Sequence, residues 1–293
     1  MKAMILAAGL GTRLRPLTDT RPKALVELNG RTLLEITLTR LRTFGVTEAI
    51  INVHHFADMV VQYLKSKNNF NVRLELSRED DQLLDTGGGL KEAAWFFQEN
   101  SARLDDPFVL HNVDVISTID LAAMRQFHKE NQALATLAVQ SRASTRQLLF
   151  NAQLELAGRR IKNKDTLIPI PHHTAIPSPH TVISSEARNL SSPSPDARGP
   201  HSPLATSHSP LPQSPEPSPL HPAAFSGIHI LSPRLLPQLT ETGPFSIIDS
   251  YLRLSAQGQK ILAFRHDHSY WRDLGKPADL AQAALDLQKG TWL

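Results

Sequence analysis

Residues 7–23 carry the spacing that most directly implies chemistry. Ala7-Ala8-Gly9-Leu10-Gly11 is dominated by small residues, and Thr12, Arg13, Arg15 and Lys23 follow it, three cations within eleven residues. Glycines let backbone N–H groups approach an anion, and nearby cations neutralise it. The stretch reads as a loop that holds polyphosphate. Two familiar loops do not fit. A P-loop needs G-x-x-x-x-G-K-[ST], whereas Gly9 and Gly11 stand too close and no Lys-Ser/Thr pair follows. A dinucleotide fingerprint needs a third small residue at position 14, which is Leu, and an acid at the end of the second strand, where Asn52-Val53-His54-His55 supplies none.

The totals narrow the classes. With 293 residues the chain can bury a sizeable core, and 20% charged against 41% hydrophobic residues falls in the soluble globular range. A net charge of +3 without a long basic run gives nucleic acid no support as a partner. The absence of cysteine excludes disulfides, thiolate catalysis and Cys-based zinc sites. Apolar runs stop far short of a membrane span, and the N-terminal run is broken at Gly9 before it resembles a signal peptide, so a cytoplasmic protein with no membrane partner is expected.

The loop must be placed by strands and helices, and these alternate. Ala3–Leu6, Ala49–Val53, Val72–Leu76, Pro107–Leu110 and Ala133–Val139 read as strands, and 32–44, 57–65, 90–98 and 121–131 as helices. Further on, 225–231 and 261–264 read as strands and 247–254 and 277–288 as helices. This predicts an α/β fold with a mostly parallel central sheet. Between them, residues 163–222 hold fourteen of the 21 prolines, eleven serines, six histidines and no Phe, Trp or Tyr. Such a segment cannot bury enough apolar surface to offset its ordering entropy, so it reads as a disordered Pro/Ser/His-rich insert in a single domain formed by 1–162 and 223–293. Its histidines lack regular ligand spacing.

The opening loop closely resembles one family. L-A-A-G-x-G-T-R-L-x-P-L-T followed by P-K is the signature of the sugar-1-phosphate nucleotidyltransferases, carried here by Leu6 to Thr18 with Pro22-Lys23 in register. Thr86-Gly87-Gly88-Gly89 resembles the family's base-recognition loop. Asn112-Val113-Asp114-Val115 resembles its N-G-D-x metal motif, with Val113 in place of Gly. Phe225-Ser226-Gly227-Ile228 resembles the strand beneath the sugar, and Trp271-Arg272-Asp273-Leu274-Gly275 its W-x-D-[VI]-G motif. Without a hexapeptide repeat in the sequence, the chain resembles the short members of the family, such as the uridylyltransferases acting on N-acetylmuramate-1-phosphate, with the compact mannose-1-phosphate guanylyltransferases as near cousins.

The resemblance implies a Rossmann-like three-layer α/β/α fold of glycosyltransferase-A type. It implies transfer of a nucleotidyl group from an NTP, UTP favoured, to a sugar-1-phosphate, with Mg²⁺ as cofactor and a monomer or small homo-oligomer as the assembly. Arg13 and Lys23 are the catalytic candidates. Leu6, Ala7, Ala8, Gly9, Gly11, Thr12, Arg13, Lys23, Thr86, Gly87 and Gly88 are the nucleotide-binding candidates, and Asp114 and Asp273 the metal ligands. Asn112, Arg146 and Gly227 are the sugar-side candidates; Arg142 is either a phosphate contact or a solvated strand end. Glu79 and Gln82 are both candidates for the base, and Glu155 is the nearest substitute for the family's sugar-binding Glu, which the insert displaces. Other readings stay open: a GTP-dependent guanylyltransferase, a non-catalytic nucleotide- or sugar-sensing regulator, or a protein that docks through the insert.

Overall fold

Strand β1 (Lys2–Leu6) buries Ala3, Met4 and Ile5 completely, but not on one face. Ala3 and Ile5 enter one apolar cluster and Met4 the other. Side chains alternate across a strand, so a strand covered on both sides must be apolar throughout. A computed structural model describes residues 1–98, 106–168 and 219–290.

The short strands β2 (Glu27–Leu28) and β3 (Arg31–Thr32) lead into helix α1 (Leu33–Thr43), where the Thr32 hydroxyl accepts from Glu35 N at 3.1 Å as its N-cap. Then follow β4 (Glu48–Val53), α2 (Ala57–Ser66), β5 (Arg73–Arg78), α3 (Asp85–Glu92) and α4 (Ala94–Gln98). Next come β6 (Phe108–Asn112), β7 (Val115–Ser117), α5 (Leu121–Glu130) and β8 (Ala135–Gln140). The strands β9 (Arg146–Phe150), β10 (Leu156–Ile161) and β11 (Lys164–Leu167) form an antiparallel meander. The described chain closes with β12 (His221–Leu231), α6 (Ile247–Ala256), β13 (Ile261–Arg265), β14 (Trp271–Asp273) and α7 (Pro277–Gln288).

Ten strands make the main sheet, in the order β11-β10-β9-β12-β6-β1-β4-β5, with β8 bonded to β12 and to β13. The strands β6, β1, β4 and β5 are parallel, and so are β8 and β13, while β12 runs antiparallel to β6, β8 and β9. Side chains of α1, α2, α5 and α7 join one apolar cluster, and those of α3, α4 and α6 the other. The result is the three-layer α/β/α arrangement, mostly parallel at its centre.

The structure departs from the sequence reading in three places. The glycines 87–89 do not form a loop ahead of a helix; they lie inside α3, which begins at Asp85. The stretch 146–167, which has no apolar periodicity, is sheet. At both edges of the expected insert, order reaches further than composition suggests, since β11 occupies 164–167 and β12 starts at His221. The remainder of that insert, including five of its six histidines, lies outside the described residues.

Candidate active site

In an open α/β sheet, ligands bind beyond the carboxyl ends of strands, where the strand order reverses. Here that point flanks β1, whose neighbours β4 and β6 lie on opposite sides. The loop after β1 and the turn after β6 therefore share a crevice, and Val113 N donates to Leu6 O at 3.1 Å between them. Two clefts open there. One, of about 460 Å³, is lined by Leu6, Ala8, Gly9, Lys23, Asn112 and Asp114, together with Asn52, Leu83, Asp85, Thr86 and Pro244. The second, of about 1070 Å³, includes Arg13, Arg142, Arg146, Gly227, Trp271 and Asp273. Asn112 lines both clefts.

The loop that carries the cations is tied to itself. Gly11 has φ +66, and a Cβ there would stand 2.9 Å from Thr18 Cγ2 and 3.1 Å from Lys23 Cβ. Thr18 Oγ1 donates to Gly11 O at 2.9 Å, and Leu14 is fully buried. This packing sets Lys23 at the start of a short 3-10 turn, where its ammonium bonds the carboxylate of Asp114. Asp114 sits in the turn between β6 and β7. The strand β14 pairs with β7 so that Asp273 stands opposite Val115, and Leu274 N donates to Asp114 O at 2.8 Å. Burial and the charge of Asp114 hold the Asp273 carboxyl above the usual carboxylate range, while Lys23, the Gly275 N–H and Arg13 pull it the other way. Arg13 closes the group: a Cβ on Gly275 would meet Arg13 Nη2 and Asp273 Oδ1, each at 2.6 Å.

Two crowded carboxylates, one in the β6–β7 turn and one on β14, are hard oxygen donors, and they suit a divalent cation that takes its other ligands from phosphate and water. No cluster of three or more His, Asp or Glu side chains that could hold a metal occurs among the described residues.

On the second cleft, the Arg142 guanidinium lies 3.7 Å from the Trp271 ring centroid and donates to Phe225 O at 2.8 Å. Its Nε is buried without a partner, and burial lowers its pKa against the opposing charge of Asp273. Trp271 Nε1 donates to Ser226 O at 2.8 Å, and the Ser226 hydroxyl pairs with His266 Nε2 at 2.7 Å. Gly227, at φ +74, leaves the space that Asn112 occupies; a Cβ would stand 2.8 Å from Asn112 Nδ2.

The structure thus brings Arg13, Lys23, Asp114 and Asp273 together, and it places Leu6, Ala8, Gly9, Thr86, Asn112, Arg146 and Gly227 on cleft walls. It does not put Ala7, Gly11, Thr12, Gly87 or Gly88 there. The Ala7 N–H is taken by Asn52 Oδ1 at 2.8 Å. Gly87 and Gly88 are buried against residues 243–245, where a Cβ on Gly87 would overlap the Phe245 ring and one on Gly88 would stand 2.8 Å from Gly243 O. Glu79 is buried behind the cleft, Gln82 is exposed outside its wall, and Glu155 bonds Asn151 in the turn between β9 and β10. Sequence reasoning missed Asn52, Leu83, Pro244 and Trp271 as wall residues. Asn52 carried a signal, being the polar residue near the end of the apolar strand Ala49–Val53.

A family profile described as Nucleotidyl transferase matches residues 2–147. An N-acetylmuramate alpha-1-phosphate uridylyltransferase of Caulobacter vibrioides is 45% identical over 116 residues, 39% of this chain and 46% of that protein. A mannose-1-phosphate guanyltransferase of Aspergillus fumigatus is 38% identical over 140 residues, 47% of this chain and 37% of that protein. The matched part of the chain spans less than half the length of these curated relatives. A UDP-glucose pyrophosphorylase crystallised with UDP-glucose superposes with a TM-score of 0.66 at 18% identity, covering 99% of this chain and 98% of that one, a likeness of fold. Residues 2–147 thus match the nucleotidyl transferase family, and the curated relatives that this part of the chain resembles are sugar-1-phosphate nucleotidyltransferases.

Proposed function

We propose that the protein transfers a nucleotidyl group from an NTP to a sugar-1-phosphate and releases pyrophosphate, with Mg²⁺ as its metal. A phosphate oxygen of the sugar-1-phosphate bonds to the α-phosphorus, the bond to the bridging β-oxygen breaks, and pyrophosphate leaves with that electron pair. The nucleophile is ionised at pH 7, so a general base is unnecessary. The protein's work is to position two anions that repel and to neutralise the charge that develops. Lys23 steadies the α-phosphate and the incoming sugar phosphate, and Arg13 grips the triphosphate and the departing pyrophosphate. Asp114 and Asp273 hold the metal, which when bound neutralises the reacting phosphates. The first cleft takes the nucleotide and the second, with Arg142, Arg146 and Asn112, takes the sugar phosphate.

The observation that carries this reading is the convergence of Lys23, Asp114, Asp273 and Arg13 where the two clefts meet. UTP with an N-acetylated sugar is the preferred pair, supported by the 45% identity to a uridylyltransferase of N-acetylmuramate 1-phosphate. GTP with mannose-1-phosphate is the second reading, supported by the 38% identity to a guanyltransferase over a longer stretch. Pyrophosphate release across a panel of four NTPs and several sugar-1-phosphates decides between them. NTP binding with no pyrophosphate release for any sugar would favour a regulator instead.

A further inference from the structure

We propose that Glu79 is a positioning residue that ties the base-side wall of the nucleotide cleft to the triphosphate loop by orienting Asn52. The inference rests on the nucleotide-binding reading above. Glu79 is a carboxylate only 3% exposed, and it does not line the cleft, whereas Asn52 does. Its two oxygens serve different partners. Asn52 Nδ2 donates to Oε1 at 2.7 Å, and the backbone N–H of Leu84 donates to Oε2 at 2.8 Å. Its own backbone is held too: Glu79 N donates to Val53 O at 2.8 Å, and Glu79 O meets His54 Nδ1 at 2.5 Å.

An ionised carboxylate only accepts, so Asn52 must turn its NH₂ toward Glu79. That leaves Asn52 Oδ1 facing the other way, where it accepts from Ala7 N at 2.8 Å. Leu84, at the far end, immediately precedes α3, and its carbonyl accepts from Phe245 N at 3.2 Å. Leu83, Asp85, Thr86 and Pro244, next to these two residues in the chain, line the cleft together with Ala8 and Gly9 of the triphosphate loop. Ala7, Asn52, Glu79 and Leu84 therefore form one relay from the triphosphate loop to the start of α3. Gly89 makes the relay sterically available, because a Cβ there would stand 2.7 Å from Glu79 Oε1 and 2.8 Å from Asn52 Nδ2.

Donor and acceptor counts give a test that a merely space-filling Glu79 would not pass. In Glu79→Gln the amide offers one acceptor to two donors, so Asn52 or the Leu84 N–H loses its partner. In Asn52→Asp two carboxylates oppose each other. The double variant, Glu79→Gln with Asn52→Asp, restores every bond. Its new amide donates to the new carboxylate and accepts from the Leu84 N–H, and that carboxylate still accepts from the Ala7 N–H. Affinities are read without sugar-1-phosphate, by calorimetry with the preferred NTP and with inorganic tripolyphosphate, which has no base. Glu79→Gln should weaken the NTP about tenfold and narrow discrimination among the four NTPs, with tripolyphosphate changed less than about twofold. The double variant should return the NTP affinity to within about threefold of wild type. If a single variant fails to fold, a double variant that folds and binds NTP gives the same support. A double variant no better than the singles overturns the proposal, as does a Glu79→Gln loss of equal size on NTP and tripolyphosphate. NTP binding without turnover would defeat the proposed reaction and leave this relay standing.

Discussion

The ammonium of Lys23 bonds the carboxylate of Asp114, with both side chains only 12% exposed, so each is the other's counter-ion. In the proposed reaction both acquire a second partner, phosphate for the lysine and metal for the acid. Replacing Lys23 with Met should act in two directions. Turnover should fall by about 10²- to 10³-fold, as when a donor to a developing charge is lost. Mn²⁺ affinity of the nucleotide-free protein should rise, because Asp114 loses a competing cation. Titration followed by electron paramagnetic resonance reads the second effect, and weaker Mn²⁺ binding in the variant would contradict the arrangement.

Gly227 combines a positive φ of +74 with a Cβ position 2.8 Å from Asn112 Nδ2. Gly227→Ala should cost about 1–3 kcal/mol of stability from strain and overlap. Because Asn112 lines both clefts, the variant should also raise KM for sugar-1-phosphate. Urea unfolding checks the first effect and steady-state kinetics the second.

How much of this was legible depends on where each signal lies along the chain. The strands Lys2–Leu6, Glu48–Val53 and Phe108–Asn112 are apolar runs covered on both faces, and composition alone reveals them. The meander 146–167 is not legible, because Arg146, Gln147, Arg159, Arg160, Lys164 and Asp165 interrupt any apolar alternation. The glycines of α3 look like a loop locally. For Gly87 and Gly88 the reason lies about 150 residues away, in the close approach of Phe245 and Gly243, and for Gly89 in that of Glu79 and Asn52. At the site, Arg13, Lys23, Asp114 and Asp273 were read through motif resemblance, and the β7–β14 pairing explains how acids so far apart in sequence meet. Asn52 and the structural role of Glu79 escaped because a buried hydrogen bond between a strand end and a loop has no sequence period.

Arg142 stacks 3.7 Å from the Trp271 ring while donating to Phe225 O. A lysine cannot reproduce the planar stack. Arg142→Lys should therefore lower kcat/KM for sugar-1-phosphate about tenfold or more, with KM for the NTP nearly unchanged. An equal loss on both substrates would place Arg142 outside the sugar-phosphate cleft's specific role.

Two fully buried histidines predict the acid limit of the fold. Burial pushes His111 down to about 4 and His229, with His111 beside it, down to about 3, against 6.5 in an unfolded chain. Below pH 6.5 the unfolded chain binds protons that the folded one refuses. Stability is thus full above pH 6.5 and declines toward pH 4, by up to about 1.4 kcal/mol per pH unit for each histidine. Denaturant unfolding at pH 7, 6, 5 and 4.5 should show this slope, and His229→Gln should flatten it; a flat wild-type profile would contradict the neutral burial of both rings.

The most direct test of the central claim is pyrophosphate release from an NTP with a divalent metal, measured with and without sugar-1-phosphate, for wild type and Asp114→Ala. The account predicts release by wild type only when a sugar-1-phosphate is present, and a loss of at least about a hundredfold in Asp114→Ala. Release independent of sugar-1-phosphate, or an Asp114→Ala rate equal to wild type, would contradict it.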